Sequence, residues 1–302
     1  IIQVDYFNNR KLQYLFLTDS LVHIIDRNGN EIDGFPKAHG VESEIKGLSL
    51  VDYDKTKRYR YLVSAGRGEI HLFDKEVNPL KGWSPLQLDA NLNKTPYHDR
   101  VSGKDFFIAV ERSDKIHLLN RRAEEYVGFP VNLEQRFSGD QHFKKLPSLS
   151  KSTISVISDD GLLSQVNLLG EVIARKQFLK ESNEDSYRLV SDVLGSGFIL
   201  LKTGTEQTVV MTADEEVLCK IAKITPETEV SYYRLSGGGS IILTWAKATG
   251  QVSLYKLNGQ LMAEEIKASH LPSLLYYSRE GIYQLFTNLA DRVNIYQLSS
   301  KD

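Results

Sequence analysis

Short apolar stretches recur along this chain, each followed by a polar turn and a second apolar stretch. The early pairs are Tyr14-Leu-Phe-Leu17 with Leu21-Val-His-Ile-Ile25, Tyr61-Leu-Val63 with Ile70-His-Leu-Phe73, and Phe106-Phe-Ile-Ala-Val110 with Ile116-His-Leu-Leu119. The later pairs are Ile154-Ser-Val-Ile157 with Leu163-Ser-Gln-Val166, Phe198-Ile-Leu-Leu201 with Val209-Val-Met211, Ile241-Ile-Leu-Thr-Trp245 with Val252-Ser-Leu-Tyr255, and Tyr283-Gln-Leu-Phe286 with Val293-Asn-Ile-Tyr296. Continuous apolar runs of this length predict β-strands covered on both faces. Turn-formers between the partners, such as Ala65-Gly66-Arg67-Gly68, Asp159-Asp160-Gly161 and Thr249-Gly250, predict hairpins. No segment sustains a capped period of 3.6, and Ala123-Glu-Glu and Pro226-Glu-Thr-Glu amount to single turns.

The second strand of each pair ends on an anchor. In the first three pairs the anchor is Asp26, Asp74 or Asn120, and a Gly-aromatic step follows eight positions later at Gly34-Phe35-Pro36, Gly82-Trp83-Ser-Pro85 and Gly128-Phe129-Pro130. Asn167, Thr212, Lys256 and Gln297 continue the series, so anchors are separated by 48, 46, 47, 45, 44 and 41 residues. Propeller blades of four strands repeat at about 40–50 residues, whereas solenoid rungs repeat at about 20–30. Gly29, Gly170 and Gly259 share one offset after the anchor, where a tight turn calls for positive φ. Proline after the aromatic suits the exit of an edge strand, and the aromatic is placed to cover the rim between neighbouring blades.

The expected fold is therefore all-β, a seven-bladed β-propeller of four-stranded antiparallel blades in a single domain. Its repeat units are 1–45, 46–93, 94–141, 142–183, 184–228, 229–270 and 271–302. The first unit begins with an inner strand near Ile1–Tyr6 and the last stops after its third, near Gln297. One outer strand is unaccounted for, and ring closure is incomplete in the sequence.

The 302 residues carry 37 Lys and Arg against 39 Asp and Glu, which leaves no basic stripe and argues against nucleic acid. No apolar run approaches the ~18 residues of a membrane helix, so this segment is not expected to insert directly. A chain opening at Ile1 rather than Met is expected to have lost a leader, an anchor or an upstream domain. The single cysteine, Cys219, rules out an internal disulfide and a thiolate zinc cage, and its strand Val217-Leu-Cys-Lys-Ile221 suits an inert buried thiol.

The phrase Ile25-Asp26-Arg-Asn-Gly29-Asn-Glu-Ile-Asp-Gly-Phe-Pro36 resembles the repeats of PQQ-like and FG-GAP-like bacterial propellers, as does Val51-Asp-Tyr-Asp54 followed by Arg60-Tyr-Leu-Val63. More narrowly, residues 11–130 resemble the C-terminal propeller region of large bacterial envelope proteins of unassigned function. The likeness thins beyond Leu146. It implies a periplasmic or envelope-associated binding or scaffold module and brings no catalytic residues. Quinoproteins carry tryptophan docking motifs on each blade. Only Trp83 and Trp245 occur here, so no quinone or other cofactor is expected.

Candidate chemistry is sparse. Asp52-Tyr-Asp54-Lys-Thr56 resembles an FG-GAP calcium loop, but Lys57 occupies the glycine position and opposes a cation, so an Asx-type turn is expected. His23, His71 and His117 share one register. Equivalent positions on stacked sheets lie about 10 Å apart, too far to share an ion, so no metal site is expected and the imidazoles should bond to backbone. Tyr97-His98-Asp99-Arg100 is the densest titratable cluster. His98 and Arg100 point to one side and Asp99 to the other, which predicts a structural salt link rather than a His–Asp base. Ser236-Gly-Gly-Gly-Ser240 precedes a strand and lacks the lysine and helix of a phosphate cradle, so it reads as a hairpin loop.

No catalytic residue is assigned. The favoured reading is a non-enzymatic binding or scaffold module, whose partner is left open between protein and carbohydrate. The alternative is an enzyme or small-ligand receptor with a channel-mouth site built from His98, Arg100, His142 and His270.

Overall fold

The computed structural model of the chain describes residues 1–237 and 239–299. Seven sheets follow one another, each in chain order. The first joins Ile2–Val4, Gln13–Leu17, Leu21–Ile25 and Lys37–Ala38 (β1–β4), and the second Ile45–Val51, Arg60–Ala65, Glu69–Phe73 and Leu86–Gln87 (β5–β8). The third joins Tyr97–Val101, Lys104–Val110, Lys115–Leu119 and Val131–Asn132 (β9–β12), and the fourth His142–Lys144, Thr153–Ile157, Leu162–Asn167 and Val172–Gln177 (β13–β16). The fifth holds Ser186–Ser191, Phe198–Thr203, Gln207–Met211 and Val217–Ala222 (β17–β20), and the sixth Thr228–Leu235, Gly239–Ala246, Gln251–Lys256 and Leu261–Lys267 (β21–β24). The seventh has three strands among the described residues, Ser273–Tyr277, Ile282–Leu289 and Arg292–Ser299 (β25–β27). The chain is an all-β seven-bladed propeller of mostly four-stranded antiparallel sheets, with no α-helix among the described residues. Among the described residues the seventh sheet has no fourth strand. The glycine-rich stretch links β21 to β22, and its Gly238 lies outside the described residues.

Contacts divide the chain into two compact units. One comprises residues 1–137, 145–153 and 166–173. Within it the first and second sheets share a core of Leu15, Ile24, Tyr61 and Val63, and the second and third share Leu62, Leu72, Trp83 and Phe107. The other comprises residues 138–144, 154–165 and 174–302. Its successive sheets pair Ile157 with Tyr187 and Leu200, Val190 with Tyr232 and Ile242, and Leu243 with Leu274 and Leu285. Strands β10 and β14 are buried on both faces, which is why Phe106–Val110 reads as a continuous apolar run and the polar residues of β14 are only the small Thr153 and Ser155. Each fully buried Leu, Ile or Phe contributes about 1.5–3 kcal/mol relative to exposure.

The anchors owe their recurrence to a turn. After Asp26, Asp74, Asn120, Asn167 and Thr212, a side-chain oxygen accepts the N–H groups two and four residues on: Asn28 and Asn30, Glu76 and Asn78, Arg122 and Glu124, Leu169 and Glu171, Asp214 and Glu216. The side chain thus satisfies backbone donors that the end of the strand would leave unpaired. The residue three after the anchor is left-handed. Gly29, Gly170 and Gly259 take this position freely, while Val77, Ala123 and Glu215 hold φ of 66°, 64° and 70°.

The Gly-aromatic steps lead into the fourth strand: Pro36, Pro85 and Pro130 immediately precede β4, β8 and β12, where no ladder donor is needed. Their preceding peptide bonds are cis. Trp83 is fully buried and its indole N–H donates to the Arg121 carbonyl of the next sheet at 3.0 Å. A Cβ on Gly128 would lie 2.3 Å from the Leu169 carbonyl, so glycine allows these two turns to touch.

Candidate functional site

The densest polar cluster forms around Asp105, the second residue of β10. Ser102 and Gly103, both with positive φ, close the tight hairpin from β9, and the register sets Arg100 opposite Asp105 and His98 opposite Phe107. Neighbouring side chains on that face then meet. His98 Nε2 lies 2.8 Å from Asp105 Oδ1, and Arg100 Nη1 lies 3.8 Å from Oδ2. Arg121, one residue past the Asn120 anchor, reaches Oδ2 at 2.7 Å. A carboxylate only accepts, so His98 carries its proton on Nε2 and donates it.

The turn after β5 completes the group. Asp54 accepts from Arg100 at 3.2 Å and lies 3.5 Å from Arg121. The Tyr53 ring receives two guanidinium groups, Arg121 at 4.0 Å and Arg60 at 4.3 Å from its centroid. Burial pushes the Tyr53 phenol up to about 12, with both arginines opposing the shift. Burial likewise holds the His98 imidazole below its ordinary value, against the pull of Asp105. The buried Asp105 carboxylate is therefore countered mainly by Arg121 and hydrogen-bonded by a neutral imidazole.

Beside this cluster lies a shallow cleft of about 320 Å³, with Lys104, Arg121, Arg122, Asp105, Asn120 and Glu124 along its walls. Tyr126 supports it, donating its hydroxyl to the Asp105 carbonyl at 2.9 Å. Asn120 holds the rim: its Oδ1 caps Arg122 and Glu124 while its Nδ2 donates to Glu124 Oε2 at 2.9 Å. Among the described residues, neither Lys104 nor Arg122 has a carboxylate within ion-pair distance, and both are exposed. What the cleft offers is N–H donors with positive charge on a rigid turn.

Of the residues singled out from sequence, His98 and Arg100 come together on Asp105, while Asp99 turns away to Lys145 at 2.6 Å. His142 is buried in β13 against the Phe198 ring at 5.1 Å, and burial lowers its pKa. His270 is exposed, its Nδ1 2.9 Å from Asn288 Nδ2. None of the four lines the cleft. Asp105, Arg121 and Tyr53 were not singled out. The one available signal was a carboxylate interrupting the apolar run of β10.

The three histidines in register differ from expectation in their partners. His23 and His117 bond to carboxylates rather than backbone, Glu31 and Glu125, each at 2.6 Å, and His71 lies 3.4 Å from Glu69. A residue eight positions on is brought back across the anchor turn, which puts a carboxylate rather than a carbonyl beside the ring. Asp52 engages the N–H groups of Thr56 and Lys57, the Asx-type turn expected, and Asp5 does the same with Asn9 and Arg10. Cys219 is buried in β20, and burial raises its thiol pKa.

The sequence matches no model of a known family and no curated protein. Solved structures do match. BBS1N, from its complex with ARL6DN, aligns over 98% of this chain and 90% of that one, with a TM-score of 0.61 and 11% identity. BamB from Moraxella catarrhalis aligns over 99% and 98%, with a TM-score of 0.53 and 12% identity. The likeness is one of fold.

Proposed function

We propose that the chain is a non-enzymatic binding or scaffold module of a larger, envelope-associated bacterial protein. One observation carries the reading: Asp105 is tied up by His98 and Arg121, while two exposed cations without carboxylate partners among the described residues, Lys104 at the start of β10 and Arg122 on the Asn120-capped turn, line the cleft beside it. Such groups suit holding a ligand, and the buried carboxylate beside them is already committed. The envelope setting rests on the resemblance of residues 11–130 to bacterial envelope propellers. The solved propellers support a scaffold role by analogy, BBS1N having been crystallised with ARL6DN.

The alternative, an enzyme or small-ligand receptor, would draw on the His98–Asp105 pair. Its Nε2 is committed, and the ring packs against Tyr53 and Phe107 at 5.0 and 5.3 Å. The test is a photo-crosslinking amino acid placed at position 122 and, as control, at position 247, in the full-length protein in its host. One saturable protein adduct at 122 and none at 247 is the expected result. Absence of any adduct from 122 would overturn the reading.

A further inference from the structure

We infer that the cleft beside Asp105 docks an acidic peptide segment of a partner protein, an inference that rests on the binding-module reading above. Three features of the cleft set the class of ligand. First, Lys104 and Arg122 both line it and, among the described residues, neither has a carboxylate within ion-pair distance, so their charge is available to a ligand. Second, Arg121 is held in place before any ligand arrives. Asp105 takes its Nη2 at 2.7 Å and its guanidinium carbon lies 4.0 Å from the Tyr53 ring centroid, so a part-exposed guanidinium meets a ligand at little further entropic cost.

Third, the walls are not uniformly positive. Glu124 lines the cleft along with the cations, and Asn120 Nδ2 holds its carboxylate at 2.9 Å. A polyphosphate or nucleic-acid backbone would meet that carboxylate as a repulsion. A peptide would not, because its acidic side chains can reach Lys104 and Arg122 while its main-chain N–H groups face Glu124. The chain as a whole carries a net charge of −2, so the attraction is local to this cleft and not a property of the surface at large.

Binding is read by fluorescence anisotropy at low salt with a fluorescein-labelled Glu-Gly-Glu-Gly-Glu-Gly-Glu peptide, its Gln-for-Glu counterpart, and inorganic phosphate as competitor. The Glu peptide binds and the Gln peptide does not. Arg122→Glu and Lys104→Glu each weaken binding by about ten-fold or more, and Lys247→Glu, outside the cleft, leaves it unchanged. Exposed positions are chosen so that folding survives, which far-ultraviolet circular dichroism checks. Equal binding of the Gln peptide, equal loss in Lys247→Glu, or displacement by phosphate at matched charge overturns the inference. In each of those cases a crosslinked partner at position 122 would still stand, so the two failures are distinguishable.

Discussion

His117 and Glu125 stand eight residues apart and meet at 2.6 Å across the end of β11. The same ring turns its other nitrogen toward Glu111, 3.4 Å away and beyond a good hydrogen bond. Glu111 is fully buried. Its Oε1 accepts the N–H groups of Asp89 and Ala90, and its Oε2 accepts the Ser113 hydroxyl. A buried carboxylate thus stitches the entry of the third sheet to its β10–β11 hairpin.

Glu111→Ala should therefore lower the stability to urea by about 2–3 kcal/mol, because three part-buried donors lose their acceptor all at once. A loss below about 1 kcal/mol would show that the carboxylate is dispensable to that junction.

Two glycines with nearly the same backbone should behave differently. Gly29 and Gly170 have φ of 85° and 84°, but a Cβ on Gly29 meets nothing within 4 Å, whereas on Gly170 it would lie 2.3 Å from the Gly128 carbonyl. Gly29→Ala should cost only the left-handed penalty, about 1–2 kcal/mol. Gly170→Ala must also push two sheets apart and should cost measurably more. Equal midpoints in denaturant would refute the contact.

Trp83→Phe should cost about 1–3 kcal/mol, since it shrinks a fully buried side chain and strips the Arg121 carbonyl of its donor. The Arg121 guanidinium stands on the same residue, so the variant should also weaken the acidic peptide. Unchanged affinity would separate the tryptophan from the cleft.

Acid should act in two stages. Burial holds His142 below its ordinary 6.5, so between the folded and unfolded values the unfolded chain binds more protons and stability falls as pH drops from 6.5. Burial also holds His98 and His71 below that value, so His142→Leu should lessen that first decline without abolishing it. A second begins lower: Lys37 keeps the Glu76 carboxyl below its ordinary 4.5, and the stability this confers, present above 4.5, is lost as pH falls through the folded value. Urea midpoints measured from pH 7 to pH 3 in both proteins check the sequence of events.

Much of this fold could be read from spacing. The Asp26, Asp74 and Asn120 anchors recur because one side-chain oxygen caps the same turn each time, and a cap leaves a residue type in the sequence at a constant offset. The three prolines before β4, β8 and β12 are legible for the same reason. The cleft is not. Tyr53, Asp105 and Arg121 come from separate turns with no shared spacing, and only packing of the second sheet on the third brings them together. His98 and Arg100 were visible as a pair because strand alternation puts them on one face, but their partner lies across a hairpin whose register the sequence leaves open. The His23–Glu31 and His117–Glu125 pairs show the same divide: the histidines stood out, their carboxylates did not.

The seventh sheet differs from the first three at its rim. β4, β8 and β12 are two residues long and give an incoming strand almost nothing to pair with, while β27 runs from Arg292 to Ser299 and turns Val293 and Ile295, 68% and 57% exposed, to solvent. Among the described residues no strand pairs with the outer side of β27, so its backbone amides should exchange with deuterium sooner than those of β10. Val293→Lys, which sets a charge on the fringe, should leave that difference in place with little effect on folding.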